Sequence, residues 1–319
     1  FLIYNPRAGA LVRSGRRALT RAMETLREAG HVVHERPTTG PGEASAIARE
    51  CIGEDADLIL AAGGDGTINE VINGMAHSGV PLAILPGGTA NVLAVELGLG
   101  RRLDRATAMV GSCVPERVSL GLLHPSEAPP RYFLLMAGIG FDAHIVYNLN
   151  LDLKAHLGKL SYWLSGFGQL GRRLEEFDVW LDGVRHRCSF ALASRVRNYG
   201  GDIEIARSAC LLENKFEMVL FQGENGFQYL RYFAGVLTDS LPGMEGVVML
   251  PARQARFSAP AGSRVYIQVD GEYAGRLPAG IELIENALTL LVPPDFRERA
   301  IERRTKRYRW RREAAPWPA

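Results

Sequence analysis

Asp57-Leu58-Ile59-Leu60-Ala61-Ala62-Gly63-Gly64-Asp65-Gly66-Thr67-Ile68-Asn69-Glu70-Val71-Ile72-Asn73-Gly74-Met75 is the stretch that decides the fold. It opens on a short apolar run, and Ile68, Val71, Ile72 and Met75 then recur at helical spacing, which predicts a strand passing straight into a helix. Gly63, Gly64 and Gly66 strip the junction of side chains. A bare turn at a helix N-terminus offers backbone N–H groups to an anion, and a phosphate chain suits it best. Asp65 is the one charge in the turn. A carboxylate beside phosphate is repelled unless a divalent cation bridges the two or the carboxylate takes a proton, so Asp65 points to metal or general-base chemistry. Thr67 and Glu70 have the spacing of a capping box.

The flanking sequence repeats the strand-helix alternation. Residues 1–4 read as a strand ended by Asn5-Pro6-Arg7-Ala8-Gly9. A helix over 14–29 follows, with Leu19, Ala22, Met23, Leu26 and Ala29 on one face and Gly30 closing it. Strands over 31–37 and 82–85 and a helix over 43–51 complete a parallel sheet covered by helices on both faces. Ligands bind beyond the carboxyl ends of such strands. There the loops after the first, third and fourth strands supply backbone N–H groups, the hydroxyls of Thr67 and Thr89 and the amides of Asn5 and Asn91. No Walker A pattern occurs, so the three loops predict a nucleotide or polyphosphate site of another kind.

From about residue 117 short apolar or alternating runs appear at 131–137, 177–181, 189–194, 216–221, 247–250, 264–269 and 287–292, the pattern of an antiparallel sandwich or partial barrel. The expected organisation is an α/β nucleotide-binding domain over 1–117, a β-sandwich domain over 118–294 with an inserted helix at 151–170, and a basic tail over 295–319. The 151–170 segment is apolar on much of its surface yet carries Lys154, His156 and Lys159. It reads as a core helix, or as one that lines an apolar-substrate pocket or touches the lipid interface. Asp270-Gly271 has hairpin-turn chemistry. Asp270 and Glu272 are equally a carboxylate pair that a strand-to-turn junction could bring to one point, to hold a cation and take a hydroxyl proton.

Composition is that of an ordinary globular chain, 47% hydrophobic and 23% charged over 319 residues. The net charge of +2 is uneven: residues 295–319 hold nine Lys or Arg against four Asp or Glu, leaving the remainder near −3. The body is therefore no nucleic-acid binder by charge. Cys51, Cys113, Cys188 and Cys210 show no metal-ligand spacing, and no apolar run reaches the ~18 residues of a membrane span, so a reduced, cytoplasmic setting is expected.

In order along the chain, Asn5-Pro-Arg-Ala-Gly9, Thr38 ahead of Gly42, Gly63-Gly-Asp-Gly-Thr67, Pro86-Gly-Gly-Thr-Ala-Asn91, Gly140-Phe-Asp-Ala143, Lys159-Leu-Ser-Tyr162, Tyr199-Gly-Gly201 and Val269-Asp-Gly-Glu272 resemble the diacylglycerol kinase catalytic domain family, in its soluble bacterial lipid-kinase branch related to sphingosine and ceramide kinases. The resemblance implies ATP and lipid meeting in a cleft between the two domains, with Mg²⁺ as a cofactor and a peripheral membrane contact. It places ATP on Asn5, Pro6, Arg7, Ala8, Gly9, Thr38, Gly63, Gly64, Asp65, Gly66, Thr67, Asn69, Glu70, Thr89 and Asn91. It makes Glu272 the general base with Asp270 beside it, while the sphingosine kinase branch gives that task to the aspartate matching Asp65. It sets a structural Mg²⁺ on the loop from Cys210 through Glu213 to Lys215. The chain departs from the family at Val92 and Ser119, where Asp is frequent, and at Leu211-Leu212-Glu213-Asn214, where Leu-Asp-Asp-Gly is usual. A kinase of a soluble alcohol and a non-catalytic lipid-binding module remain as alternatives, and the sequence leaves a homodimer open.

Overall fold

The computed structural model describes residues 1–14, 16–140, 174–199 and 203–313. The expected helix at 151–170, and the motif residues 141–143, 159–162, 200 and 201, lie outside the described residues.

The first part of the chain runs β1 (Leu2–Tyr4), α1 (Gly9–Ser14), α2 (Arg16–Glu28), β2 (Glu35–Pro37), α3 (Glu43–Gly53), β3 (Ile59–Gly63), α4 (Asp65–Met75), β4 (Pro81–Pro86), α5 (Val92–Leu97) and α6 (Leu103–Met109). Its strands are parallel in the order β2-β1-β3-β4. The helical periodicity predicts which faces turn inward: Leu19, Ala22, Met23 and Leu26 of α2 and Ile68, Val71, Ile72 and Met75 of α4 are all buried, whereas Ala29, expected on the same face, lies just past the end of α2 and is exposed. Two elements differ from expectation. The helix expected over 14–29 is found as α2, but a separate short helix, α1, precedes it where only a loop was expected, and the strand expected over 31–37 is only three residues long, the part that finds partners on β1.

The second part is antiparallel, as expected. It comprises β5 (Val114–Pro125), β6 (Arg131–Phe133), β7 (Met136–Gly140), β8 (Phe177–Leu181), β9 (Val184–Cys188), β10 (Phe190–Ser194), β11 (Asn198–Tyr199), β12 (Ile203–Glu204), β13 (Phe216–Phe221), α7 (Gly226–Leu237), β14 (Val247–Ala252), β15 (Gln254–Ser258), β16 (Tyr266–Val269), β17 (Glu272–Arg276), β18 (Ala279–Val292) and α8 (Pro294–Glu313). One sheet has the order β14-β13-β10-β7-β16-β17. Its residues alternate between two cores, as the pleat requires. Ile139, Ala191, Met218 and Ile267 meet Val179, Phe257 and Ile281 of the opposing layer, while Phe190, Leu192, Val219 and Phe221 pack in the other core with Tyr229 and Tyr232 of α7.

Strand β18 joins the two halves. It pairs with β15 and β5 antiparallel and with β4 parallel, so one ten-stranded sheet runs through both. Ile281 and Leu283 enter the sandwich core, whereas Leu288, Leu290 and Val292 enter the α/β core. The register shift between Ile284 and Leu288, with Asn286 at φ 51°, lets one strand serve two cores. All four cysteines are free, and no helix among the described residues is long and apolar enough to cross a membrane.

The tightest helix contact in the first half is at Gly74 of α4, where a Cβ would overlap the Ser45 carbonyl oxygen on α3. Gly74→Ala is expected to destabilise by about 1–3 kcal/mol despite alanine's better helix propensity, because backbone, not a pliable side chain, must yield. Urea unfolding checks this.

Candidate active site

The loops that follow β1, β3 and β4 meet at one rim. Gly87 N–H donates to Gly63 C=O at 2.8 Å and Ala10 N–H to Gly87 C=O at 2.9 Å. A Cβ on Gly88 would stand 2.5 Å from Gly64 Cα, and one on Gly87 3.1 Å from Gly63 Cα. Much of the glycine content is thus spent on backbone packed against backbone, a cause that the sequence reading did not weigh. Gly66 is different: a Cβ there would overlap the carboxylate of Glu272, which arrives from the sandwich half.

The remaining rim residues fall into place around this contact. Asn5 Oδ1 accepts from Arg7 N–H at 2.9 Å, and Asn5 Nδ2 lies 3.5 Å from Thr67 Oγ1. Pro6, Arg7 and Thr89 are exposed, and Ala8 is buried beneath Gly9. Thr38 is buried, with its N–H on Tyr4 C=O at 2.9 Å. Asn91 is buried with φ 50° and clasps Gly88 through both amide atoms, at 2.8 and 2.9 Å.

Glu70 corrects one expectation. Helix α4 starts at Asp65, with Gly64 at its N-cap and no side-chain cap, so Thr67 and Glu70 form no capping box. The Glu70 carboxylate instead accepts from Gly42 N–H at 2.7 Å and Ala44 N–H at 3.2 Å, at the start of α3. The exposed amides and positive end of that helix compete better for the charge than α4 does. Asp65 likewise faces a neighbouring helix: its Oδ1 lies 3.4 Å from Leu93 N at the start of α5. Burial pushes its pKa up, against the pull of the Val92, Leu93 and Asn91 amides.

The sandwich half reaches the rim through the β16–β17 hairpin. Asp270 (φ 48°) and Gly271 (φ 84°) form its two-residue turn, as the Asp-Gly pair predicts. Asp270 is buried. Its Oδ1 accepts from Leu135 N–H and Met136 N–H, both at 2.9 Å, and its Oδ2 from Leu134 N–H at 3.0 Å and Asn69 Nδ2 at 2.8 Å. Burial pushes its pKa up, while these donors pull it back. Asn69 is itself buried, and its Oδ1 accepts from Arg131 Nε and Nη2 at 3.1 and 2.7 Å. Arg131 Nη2 donates in turn to Glu272 Oε2 at 2.5 Å. One polar chain therefore runs Asp270–Asn69–Arg131–Glu272 across the seam. The two carboxylates do not share a point: Asp270 is locked in the interior, and Glu272, its side chain 40% exposed, lies over the first turn of α4. A cavity of about 760 Å³ opens beside it, lined by Pro41, Gly42, Ser45, Asn73, Arg131 and Glu272 among others. Arg131 was not singled out from the sequence, where it is a lone arginine ahead of an apolar run.

The loop Cys210–Lys215 lies away from this cavity and is already charge-balanced. Glu213 Oε2 sits 2.5 Å from Lys215 Nζ, the C=O groups of Leu211 and Glu213 accept from Arg195, and burial pushes the Cys210 thiol up, keeping it neutral. Ser119 Oγ donates to Asn214 Oδ1 at 2.7 Å, so two of the positions that depart from the family bond to each other. No cluster of three or more His, Cys, Asp or Glu able to hold a metal occurs among the described residues. With the loop's one carboxylate, Glu213, paired to Lys215 and the Leu211 and Glu213 carbonyls taken by Arg195, the donor set as it stands does not fit a structural Mg²⁺.

Two family models match the chain in tandem, the diacylglycerol kinase catalytic domain over residues 1–123 and the YegS C-terminal NAD kinase beta sandwich-like domain over residues 136–292. The diacylglycerol kinase of Bacillus subtilis is 27% identical over 303 residues, covering 93% of this chain and 97% of its own, and that of Mycobacterium tuberculosis is 27% identical over 290 residues, covering 89% and 91%. The crystal structure of a diacylglycerol kinase from Bacillus anthracis shares the fold, with a TM-score of 0.74 at 23% identity over 92% of this chain and 96% of that one.

Two substitutions separate the parts of the site. Asp270→Asn puts an amide N–H₂ among four N–H donors and is expected to destabilise by about 1–3 kcal/mol, read by chemical denaturation. Gly66→Ala is expected to leave stability unchanged or raise it by up to about 1 kcal/mol, because the position is helical and only the flexible end of Glu272 must move. The Glu272 carboxylate is displaced all the same, so lower turnover at unchanged stability is the result expected if that carboxylate acts in the reaction; thermal unfolding and an activity assay together check it.

Proposed function

Because the chain belongs to the diacylglycerol kinase catalytic domain family, we propose that it transfers the γ-phosphoryl group of ATP to a hydroxyl of diacylglycerol or a closely related lipid, with Glu272 as the general base. The observation that carries this reading is the Glu272 carboxylate, held by Arg131 over the first turn of α4 at the mouth of a cavity that the two halves share. The rim from Asn5 to Gly9, with Thr38, residues 63–70, Thr89 and Asn91, would hold the nucleotide, its phosphates drawn to the helix N-terminus. ATP enters as its magnesium complex, which neutralises phosphate charge during transfer.

In this reading Glu272 takes the proton of the lipid hydroxyl as its oxygen bonds to the γ-phosphorus and the bond to the ADP oxygen breaks. Arg131 is a positioning residue, fixing one oxygen of Glu272 and leaving the other free. Asp270 has all its acceptor directions used within the protein, so its part is to hold the hairpin. Asp65 faces the α5 amides, which favours a role in joining the glycine loops over proton transfer. A lipid acceptor implies work at a membrane surface, and the Arg- and Lys-rich run 303–312 would favour an anionic leaflet by about 1 kcal/mol per contacting charge.

Labelled ATP with Mg²⁺, offered diacylglycerol, ceramide, sphingosine, NAD or no acceptor, tests the reading. Transfer to a lipid is expected, and Glu272→Gln is expected to lower kcat by ~10²–10⁴-fold at near-normal stability. Label on NAD alone, or full turnover in Glu272→Gln, would overturn it.

A further inference from the structure

Arg195, in the molecule's second half, carries a fully buried guanidinium, at 0% exposure. It follows β10, and its backbone N–H donates to Leu135 C=O at 2.8 Å, which fixes where the side chain starts. Nη2 donates to Leu211 C=O at 2.6 Å and Nη1 to Glu213 C=O at 3.2 Å, so the Cys210–Lys215 loop is wrapped around the cation. Burial pushes the guanidinium down to about 10, which still leaves it protonated at neutral pH.

A buried charge is tolerated only when its surroundings answer it. Here two carbonyl oxygens answer Nη1 and Nη2, while the buried Nε has no hydrogen-bond partner among the described residues. Inward-turned loop carbonyls are also what a bound cation would draw on, and the one loop carboxylate that could join them, Glu213, is spent on Lys215 at 2.5 Å. Asn214 is held by Ser119 on one side and by Glu285, at 3.2 Å, on the other.

We propose that Arg195 is a built-in cation for the Cys210–Lys215 loop, doing there what a structural Mg²⁺ would do, so that this chain folds without a metal at that position. The proposal is independent of the catalytic reading, because the loop contributes nothing to the cavity at Glu272. Its consequence is that any need for Mg²⁺ belongs to the nucleotide substrate alone.

Thermal unfolding of the full chain without nucleotide, in EDTA and in millimolar MgCl₂, is the test, on wild type, Glu213→Gln, Arg195→Gln and Arg195→Lys. The wild-type Tm is expected to be the same in both buffers. Arg195→Gln is expected to unfold at lower temperature, with part of the loss recovered in Arg195→Lys, which keeps the charge. A wild-type Tm that rises with Mg²⁺ would overturn the proposal, whether or not the rise is lost in Glu213→Gln, a variant that only tells whether that carboxylate holds the ion. Arg195→Gln unfolding at the wild-type temperature would also overturn it. If Arg195→Gln does not fold, the wild-type comparison decides alone.

Discussion

A single buried carboxylate, that of Asp270, fixes the geometry on which the candidate site depends. Removing such a charge from water is prohibitive unless hydrogen bonds replace the lost hydration, and each bond to a charged group contributes roughly 1.5–3 kcal/mol. Asp270 accepts four, three from consecutive N–H groups at 134–136 and one from Asn69 on α4. The first three set the hairpin on its own sheet; the fourth sets that sheet against the α/β half. Glu272 is two residues further on, past a turn whose positive φ angles leave it little freedom, so its place over Gly66 follows from the anchoring of Asp270.

The glycines show how one composition can answer two demands. Bare backbone at a strand-helix junction reads as room for a phosphate, and the reading is sound as far as sterics go. Sequence alone cannot say which atom claims the room. At Gly64, Gly87 and Gly88 the neighbouring loop claims it, at Gly63 the Thr67 side chain of the same turn, and at Gly66 the Glu272 side chain. The Glu70 case is similar. Its spacing from Thr67 fits a cap on its own helix, but α3 offers two free amides within reach, and a local pattern gives no information on that competitor.

What was legible follows the same division between local and long-range causes. The α/β alternation, the inward faces of α2 and α4 and the Asp270-Gly271 turn are decided by neighbours in sequence, and the structure has them as read. Strand β18 was read only over its last part. Glu282, Glu285 and Asn286 interrupt its apolar pattern, and its continuity depends on partners more than 150 residues away, on β5 and β4. Arg131 was illegible for the same reason: its meaning lies in Asn69 and Glu272, which nothing in sequence places beside it.

The seam between the halves is crossed by one strand and by hydrogen bonds to buried carboxylates. β18 crosses it as covalent chain with apolar side chains in both cores; Asn69 and Asp270 cross it with a buried hydrogen bond; and buried Glu96 of α5 accepts from Asn198 Nδ2 at 2.9 Å and Arg197 N–H at 3.3 Å. A hinge opening the seam would have to break these polar links and those from α4 to Arg131 and Tyr132, leaving Asp270 and Glu96 short of donors, and bend a strand held by sheet bonds on both sides. That cost favours a site whose carboxylate is in position before any ligand arrives. Groups already in place need no reorganisation during reaction, which is what the proposed transfer with Glu272 as base would draw from a rigid seam.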